Sequence, residues 1–125
     1  MRIDVMVSNG VQRSVQTVVE LPTYIRAVQA LFTEQEQAEI ASTLAADPEC
    51  GNLIPGTGGF RKLRIRRGGM GKRGGGRVIY ILRNQKFPIF LVAAYAKNEK
   101  ENLTKQERNE LSKLAGEIFA RYGAK

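Results

Sequence analysis

The sequence predicts an α+β protein: a small antiparallel sheet with helices packed on one face, its elements in the order β-α-α-β-β-β-α. Three observations predict it. Two helix-periodic segments with N-capping residues follow a first β-branched run. Three strand-like runs then come in one block, the first two joined by a glycine cluster instead of a helix. A third capped helical segment closes the chain. Strands that alternated with helices would instead have argued for a parallel sheet.

Val15 to Leu21 (VQTVVEL) is rich in β-branched residues and reads as a strand. Thr23 is placed to cap a short helix with Ile25, Val28 and Leu31 at helical spacing. Thr33 and Glu36 form the pattern of a capping box for a second helix. Its buried face is expected at Ile40, Ala41, Leu44 and Ala45, and Pro48 with Gly51 ends it. After the turn-rich GNLIPGTGG, the segment FRKLRIRR (60–67) reads as a strand. The loop GGMGKRGGG joins it to RVIYILRN (77–84), and Gln85-Lys86 marks a tight turn before PIFLVAAYA. The apolar run Ile89 to Ala96 is expected to be buried on both faces, with Tyr80 and Phe90 in the core. Thr104 and Glu107 form a second capping box, opening a helix with Leu111, Leu114, Ala115, Ile118 and Tyr122 on one face.

The 125 residues fit one domain, 1–125, and 42% hydrophobic content is enough for a core without disulfide or metal. Residues 1–14 fit the scheme less well: they read either as an extra edge strand or as an N-terminal extension. Cys50 is the only cysteine, which suits a reducing cytoplasm. Met1 to Gly10 lacks the apolar run of a signal peptide, since Asp4 interrupts it, and no stretch reaches the ~20 apolar residues of a membrane span. A cytoplasmic protein with no membrane partner is expected.

The net charge of +8 is unevenly spread. Met1 to Gly59 has three basic and seven acidic residues, net −4, whereas Phe60 to Lys100 has twelve basic residues against Glu99 alone, net +11. Such a concentration attracts polyanions by Coulomb forces and counterion release. In FRKLRIRR the two-residue period puts Lys62, Arg64 and Arg66 on one face and Leu63 and Ile65 on the other. Like charges side by side on a strand repel, and a bound anion is the simplest compensation; a solvated face with counterions is the plainer alternative. Arg61, Arg67, Lys72, Arg73, Asn98 and Lys100 extend the candidate RNA-binding set. The glycine-rich GMGKRGGG lacks the phosphate-loop pattern and a following helix, so a hairpin carrying Lys72 and Arg73 to a nucleic-acid backbone, or a plain mobile loop, are the readings left open. Tyr95, before Lys97, can stack on an unpaired base or sit half-buried at the strand end.

The absences restrict the chemistry. Without histidine there is no Ser-His or Cys-His nucleophile pair, and one cysteine cannot build a zinc site of the usual ligands. The cationic segment has too few carboxylates for a Mg²⁺ site, so no cofactor is implied. Phosphodiester chemistry would fall to Lys, Arg and Tyr. RNA permits that, because its 2′-hydroxyl supplies the nucleophile. A lysine crowded by cations can serve as base, and arginine's planar fork pairs two phosphate oxygens.

The segments IPGTGGFRKLRI, GKRGGGRVIY and LVAAYAKNEKENLT, spanning about residues 48 to 110 in that order, resemble RelE/HigB-type toxins of bacterial type II toxin–antitoxin systems, of the RelE/ParE superfamily. The resemblance implies a RelE-like fold and a translation inhibitor that enters the ribosomal A site and cuts mRNA there. It also implies a cognate antitoxin, often a helix-turn-helix protein. The alternating basic residues of the family's second strand match Lys62 and Arg64, and an arginine opening the third strand matches Arg77 in RVIY. RelE also has an arginine just after the last strand and a tyrosine several residues later. The nearest positions here are Asn98, beside Lys97, and Thr104. Tyr95 and Lys97 are the substitutes that the HigB-like branch suggests. The catalytic candidates are thus Lys62, Arg64, Arg77, Lys97 and Tyr95, for metal-free cleavage. The competing readings are a non-catalytic RNA- or ribosome-binding module, or a degenerate toxin acting with its antitoxin as transcriptional regulator.

Overall fold

The computed structural model describes residues 16–66, 75–84, 86–97, 99–100 and 102–123. The elements are β1 (Val18–Glu20), α1 (Pro22–Leu31), α2 (Glu34–Ala46), β2 (Asn52–Leu53), β3 (Phe60–Ile65), β4 (Gly76–Ile81), β5 (Ile89–Ala96) and α3 (Lys105–Gly123). The α+β class is as expected, with the two-residue β2 added to the predicted order. The expectations for residues 1–14, Gln85 and most of the glycine loop lie outside the described residues.

The five strands run in the order β1-β5-β4-β3-β2. All neighbours are antiparallel except β1, which joins β5 in parallel and makes the sheet mixed. A second correction concerns the helices, which divide between both faces. Tyr24, Val28 and Phe32 of the α1 region and Ile40, Leu44 and Ala45 of α2 pack with Val78, Tyr80, Ile89 and Leu91. Ala115 and Ile118 of α3 pack with Phe60, Ile79, Ile81, Phe90 and Val92 on the opposite face. The reason is in the strands themselves. Every residue of β4 is buried, so helices on one face only would leave Ile79 and Ile81 in water.

The helix starts show where local signals hold. Thr33 Oγ1 accepts from Glu36 N–H at 3.1 Å while Glu36 Oε1 accepts from Thr33 N–H at 2.9 Å. The same reciprocal pair joins Thr104 and Glu107, at 2.8 and 3.1 Å. Thr23 does otherwise. Leu21 is the N-cap of α1 with Pro22 following, and the Thr23 hydroxyl donates to Val92 O at 2.8 Å. That carbonyl belongs to a β-bulge: Ile79 pairs with Ala93 and Tyr80 with Leu91, leaving Val92 without a partner on β4.

The IPGTGG motif is a turn device. Gly56, Gly58 and Gly59 have φ of 77°, 80° and 121°, outside what L side chains readily adopt. Thr57, fully buried, donates to Ile54 O at 2.7 Å and accepts from Phe60 N–H at 3.1 Å, closing the link between β2 and β3. Tyr80 plays a similar part across the α1/α2 layer. Its buried hydroxyl donates to Pro48 O at 2.7 Å and accepts from Gly51 N–H at 2.9 Å, tying the end of α2 to the central strand.

Burial pushes the Tyr80 phenol up from its ordinary value to about 12. The folded state therefore keeps the proton between about pH 10 and 12 while the unfolded chain releases it. Stability held below pH 10 falls across that window, by roughly 2–3 kcal/mol at its end. Tyr80→Phe is expected to lose about 1–2 kcal/mol at neutral pH with its hydrogen bonds, and to show a shallower decline above pH 10. Denaturant melts of both proteins at pH 8, 10 and 11.5 check this. At Gly76 an added Cβ would lie 2.6 Å from the Phe32 ring. Gly76→Ala is expected to destabilise by about 1–3 kcal/mol, with partial recovery on adding Phe32→Leu, measured as unfolding midpoints.

Candidate nucleic-acid interface

Strand register decides which cations meet. Arg64 on β3 stands directly opposite Arg77 on β4, and Arg77 directly opposite Tyr95 on β5. Lys62 pairs with Ile79, which pairs with Ala93. Directly opposed residues share a face, so Lys62, Arg64, Arg77 and Tyr95 line one side of the sheet, the side that α3 covers through Ile79 and Ile81. The bulge is what admits Tyr95. Before it, Phe90 and Val92 point to the α3 side; after it, Ala93 and Tyr95 do. An unbroken strand would have aimed Ala94 there instead.

The cations differ in exposure. Arg77 is only 7% exposed, with Nη1 donating to Gly76 O at 3.0 Å, and Tyr95 is equally buried. Arg64 is exposed and Lys62 half-buried. Among the described residues none of these three cations has an ion-pair partner. Lys97 is exposed, and its N–H donates to Gly75 O at 2.8 Å. A Cβ built on Gly75 would lie 3.4 Å from Arg77 Nη1 and 3.6 Å from the Lys97 side chain, which brings Lys97 beside Arg77. Lys100 sits 5.4 Å above the Tyr95 ring and forms an ion pair with Glu107. That bond and the Thr104 N–H hold the Glu107 carboxyl below the usual carboxylate range.

Lys62, Arg64, Arg77, Tyr95, Lys97 and Lys100 thus gather at one end of the sheet. Arg61 does not. It pairs with Tyr80 on the α1/α2 side, and its Nη1 donates to Glu49 O at 3.2 Å and Gly51 O at 2.7 Å, bracing the turn after α2. Arg66 is exposed just beyond the end of β3. Arg67, Lys72, Arg73 and Asn98 lie outside the described residues.

Next to the cations is a cleft of about 580 Å³ between β2, β3 and the start of α3, lined by Lys62, Arg64, Asn52, Leu53, Leu103 and Arg108 among others. A smaller cavity of about 330 Å³ on the other side of Leu103 is lined by Tyr95, Lys100, Glu107 and Glu110. Sequence reasoning missed Arg108 and Asn52. An arginine in a helix and an asparagine after a glycine carry no local signal; the pairing of β2 with β3 sets Asn52 opposite Lys62, and the seating of α3 on the sheet brings Arg108 to the same cleft.

Residues 46–125 match the family model described as the RelE toxin of the RelE / RelB toxin-antitoxin system. The chain belongs to the RelE toxin family. The match contains β2 to β5 and α3, and with them Lys62, Arg64, Arg77, Tyr95 and Arg108. Among solved structures the chain is similar to the free state of a double arginine-to-alanine variant of E. coli toxin RelE, at 13% identity and a TM-score of 0.48, over 70% of this chain and 88% of that one. Among the described residues no helix is long and apolar enough to cross a membrane.

Opposed arginines on neighbouring strands repel, with Cβ atoms roughly 4.5–5.5 Å apart. Arg64→Gln is therefore expected to raise the melting temperature at low salt, whereas Arg61→Met lowers it by losing two carbonyl contacts. Sulfate at tens of millimolar is expected to stabilise the parent more than Arg64→Gln, because the anion screens and bridges the pair. Thermal melts with and without sulfate read both effects.

Proposed function

We propose that this toxin is an endoribonuclease that cuts mRNA on the ribosome without a metal ion, using the RNA's own 2′-hydroxyl. The observation that carries the reading is the in-register row Arg64–Arg77–Tyr95 with Lys62 beside it on the same face. In the reaction the 2′-oxygen loses its proton and attacks the adjacent phosphorus. The 5′-oxygen leaves with a proton, giving a 2′,3′-cyclic phosphate and a 5′-hydroxyl. Lys62 acts as base or charge stabiliser at the 2′-oxygen. Arg64 and Arg77 clamp the phosphoryl oxygens as charge builds on them, and Arg77's burial strengthens its electrostatic effect there. Lys97, beside Arg77, supports the same phosphate, and Tyr95 with Lys100 above it borders the neighbouring base or sugar. Arg66, Arg67, Lys72, Arg73 and Asn98 supply further backbone contacts.

Residues 1–125 act in this reading as one cytoplasmic domain. Its partners are the ribosome, mRNA and a cognate antitoxin of the helix-turn-helix kind, drawn by the +11 segment through acidic residues. Lys62→Ala, at a half-buried position, and the double variant Lys62→Ala with Arg77→Ala are expected to express without arresting bacterial growth. In a translating extract with a defined mRNA, the parent is expected to produce discrete new 5′ ends that vanish in both variants. Stalling without cuts would make the protein a binder. Undiminished toxicity of both variants would remove these residues from the site.

A further inference from the structure

Glu107 stands outside the cationic row, yet its carboxylate is shared between a helix end and the Lys100 ammonium. We propose that Glu107 is a positioning residue for RNA cleavage, which holds that ammonium over Tyr95 where the bound strand meets it; the inference rests on the RNA-cleaving reading.

Three observations carry it. The first is the division of the carboxylate. Oε1 accepts from Thr104 N–H at 2.8 Å and completes the capping box of α3, while Oε2 pairs with Lys100. A capping box needs only one such oxygen, and glutamine serves it as well as glutamate. The second oxygen and the negative charge are therefore surplus to the helix. The second observation is where Lys100 is held. Its Nζ stands 5.4 Å from the centre of the Tyr95 ring, and strand register sets Tyr95 opposite Arg77 and Arg77 opposite Arg64. The ion pair thus borders the end of that row. The third is the turn after β5. Ala96 N–H donates to Glu99 Oε1 at 3.0 Å, and Glu99 N–H donates to Ala96 O at 3.0 Å. These bonds bend the chain so that Lys100 returns over the strand it has just left.

Magnitudes decide between a stabilising role and a positional one. The side chains of Lys100 and Glu107 are 36% and 32% exposed, and ion pairs open to water add little to stability. Fixing the ammonium matters more. Lysine carries its charge on a flexible four-carbon stem, whose freedom is lost when the ammonium must meet a phosphate. With one N–H on Glu107 the ammonium is already in place, and its other donors remain for phosphate oxygens. Glu107 also offsets one charge beside Arg77 and Lys97, so repulsion does not drive the ammonium outward. Glu110 is the other carboxylate on the adjoining cavity, and its Oε2 accepts from Gln106 Nε2 instead, at 3.4 Å.

The test follows new 5′ ends on a defined mRNA in a translating extract, as a function of toxin concentration. Glu107→Gln keeps a capping oxygen and removes the charge, so its melting temperature is expected to stay near the parent's. Its saturating cutting rate is expected to fall about tenfold, the scale of a modest misplacement, with the half-saturating concentration within about twofold of the parent's. Lys100→Ala is expected to show a similar loss. Combined, the two substitutions cost no more than either alone, because Glu107 acts through Lys100. A merely structural Glu107 would lower the melting temperature and slow the Lys100→Ala protein by as much as it slows the parent. If the parent cuts while Glu107→Gln matches its rate, or if the two losses multiply, the positioning role is refuted and the nuclease reading survives. If Glu107→Gln does not fold, Glu107→Asp, with the charge on a shorter arm, carries the same cycle. A loss that vanishes in the Lys100→Ala background then supports the role, and a loss that persists, or none at all, overturns it. If the parent makes no cuts, both readings fail together.

Discussion

Val92 has no partner on β4, and this one-residue offset sets which side chains of β5 face α3. A strand alternates strictly, so one extra residue exchanges the two faces for everything beyond it. Ile89 and Leu91 point toward α1 and α2 before the bulge, and Ala94 does so after it. The exchange places Tyr95 in line with Arg77 and Arg64. A bulge leaves backbone groups outside the ladder, and here the Thr23 hydroxyl takes up the Val92 carbonyl from α1. The α1 layer thereby helps hold the register of the cations and Tyr95 on the far side of the sheet.

The same register sets two arginines against each other on adjacent strands. Arg77 is held among buried neighbours, while Arg64 stays exposed at the rim. Repulsion of this kind works against folding, and a fold tolerates it where the rest of the core is sound. Here β4 is buried along its whole length, with aromatic and branched side chains packed on both faces. A cationic row kept in place by an apolar sheet is preorganised for an anion, since little has to move when the anion arrives.

Alternation also sorts the cations of β3. Lys62 and Arg64 look toward α3, and Arg61 between β2 and β4 looks the other way, into carbonyls of the turn after α2. Six residues of one basic strand therefore serve two purposes. Glu107 does similar double duty, capping α3 through Thr104 while pairing with Lys100 above Tyr95.

By itself the sequence determined what depends on neighbours in the chain. Both capping boxes, the apolar face of α2, the β3–β4–β5 block and the gathering of Lys62, Arg64 and Arg77 on basic strands follow from spacing and residue type, because helices and strands have fixed periods. Tertiary structure decided what depends on contacts between distant segments. Thr23 abandoned its cap for a carbonyl 69 residues away, and β1 joined β5 in parallel. Helix α3 crossed to the second face because β4 and β5 are apolar on both sides, and only through that crossing does Arg108 line the same cleft as Lys62. Neither the bulge nor the cleft has a local signature. Each arises where long-range packing must satisfy a backbone group or fill a volume, and local periodicity carries no record of that.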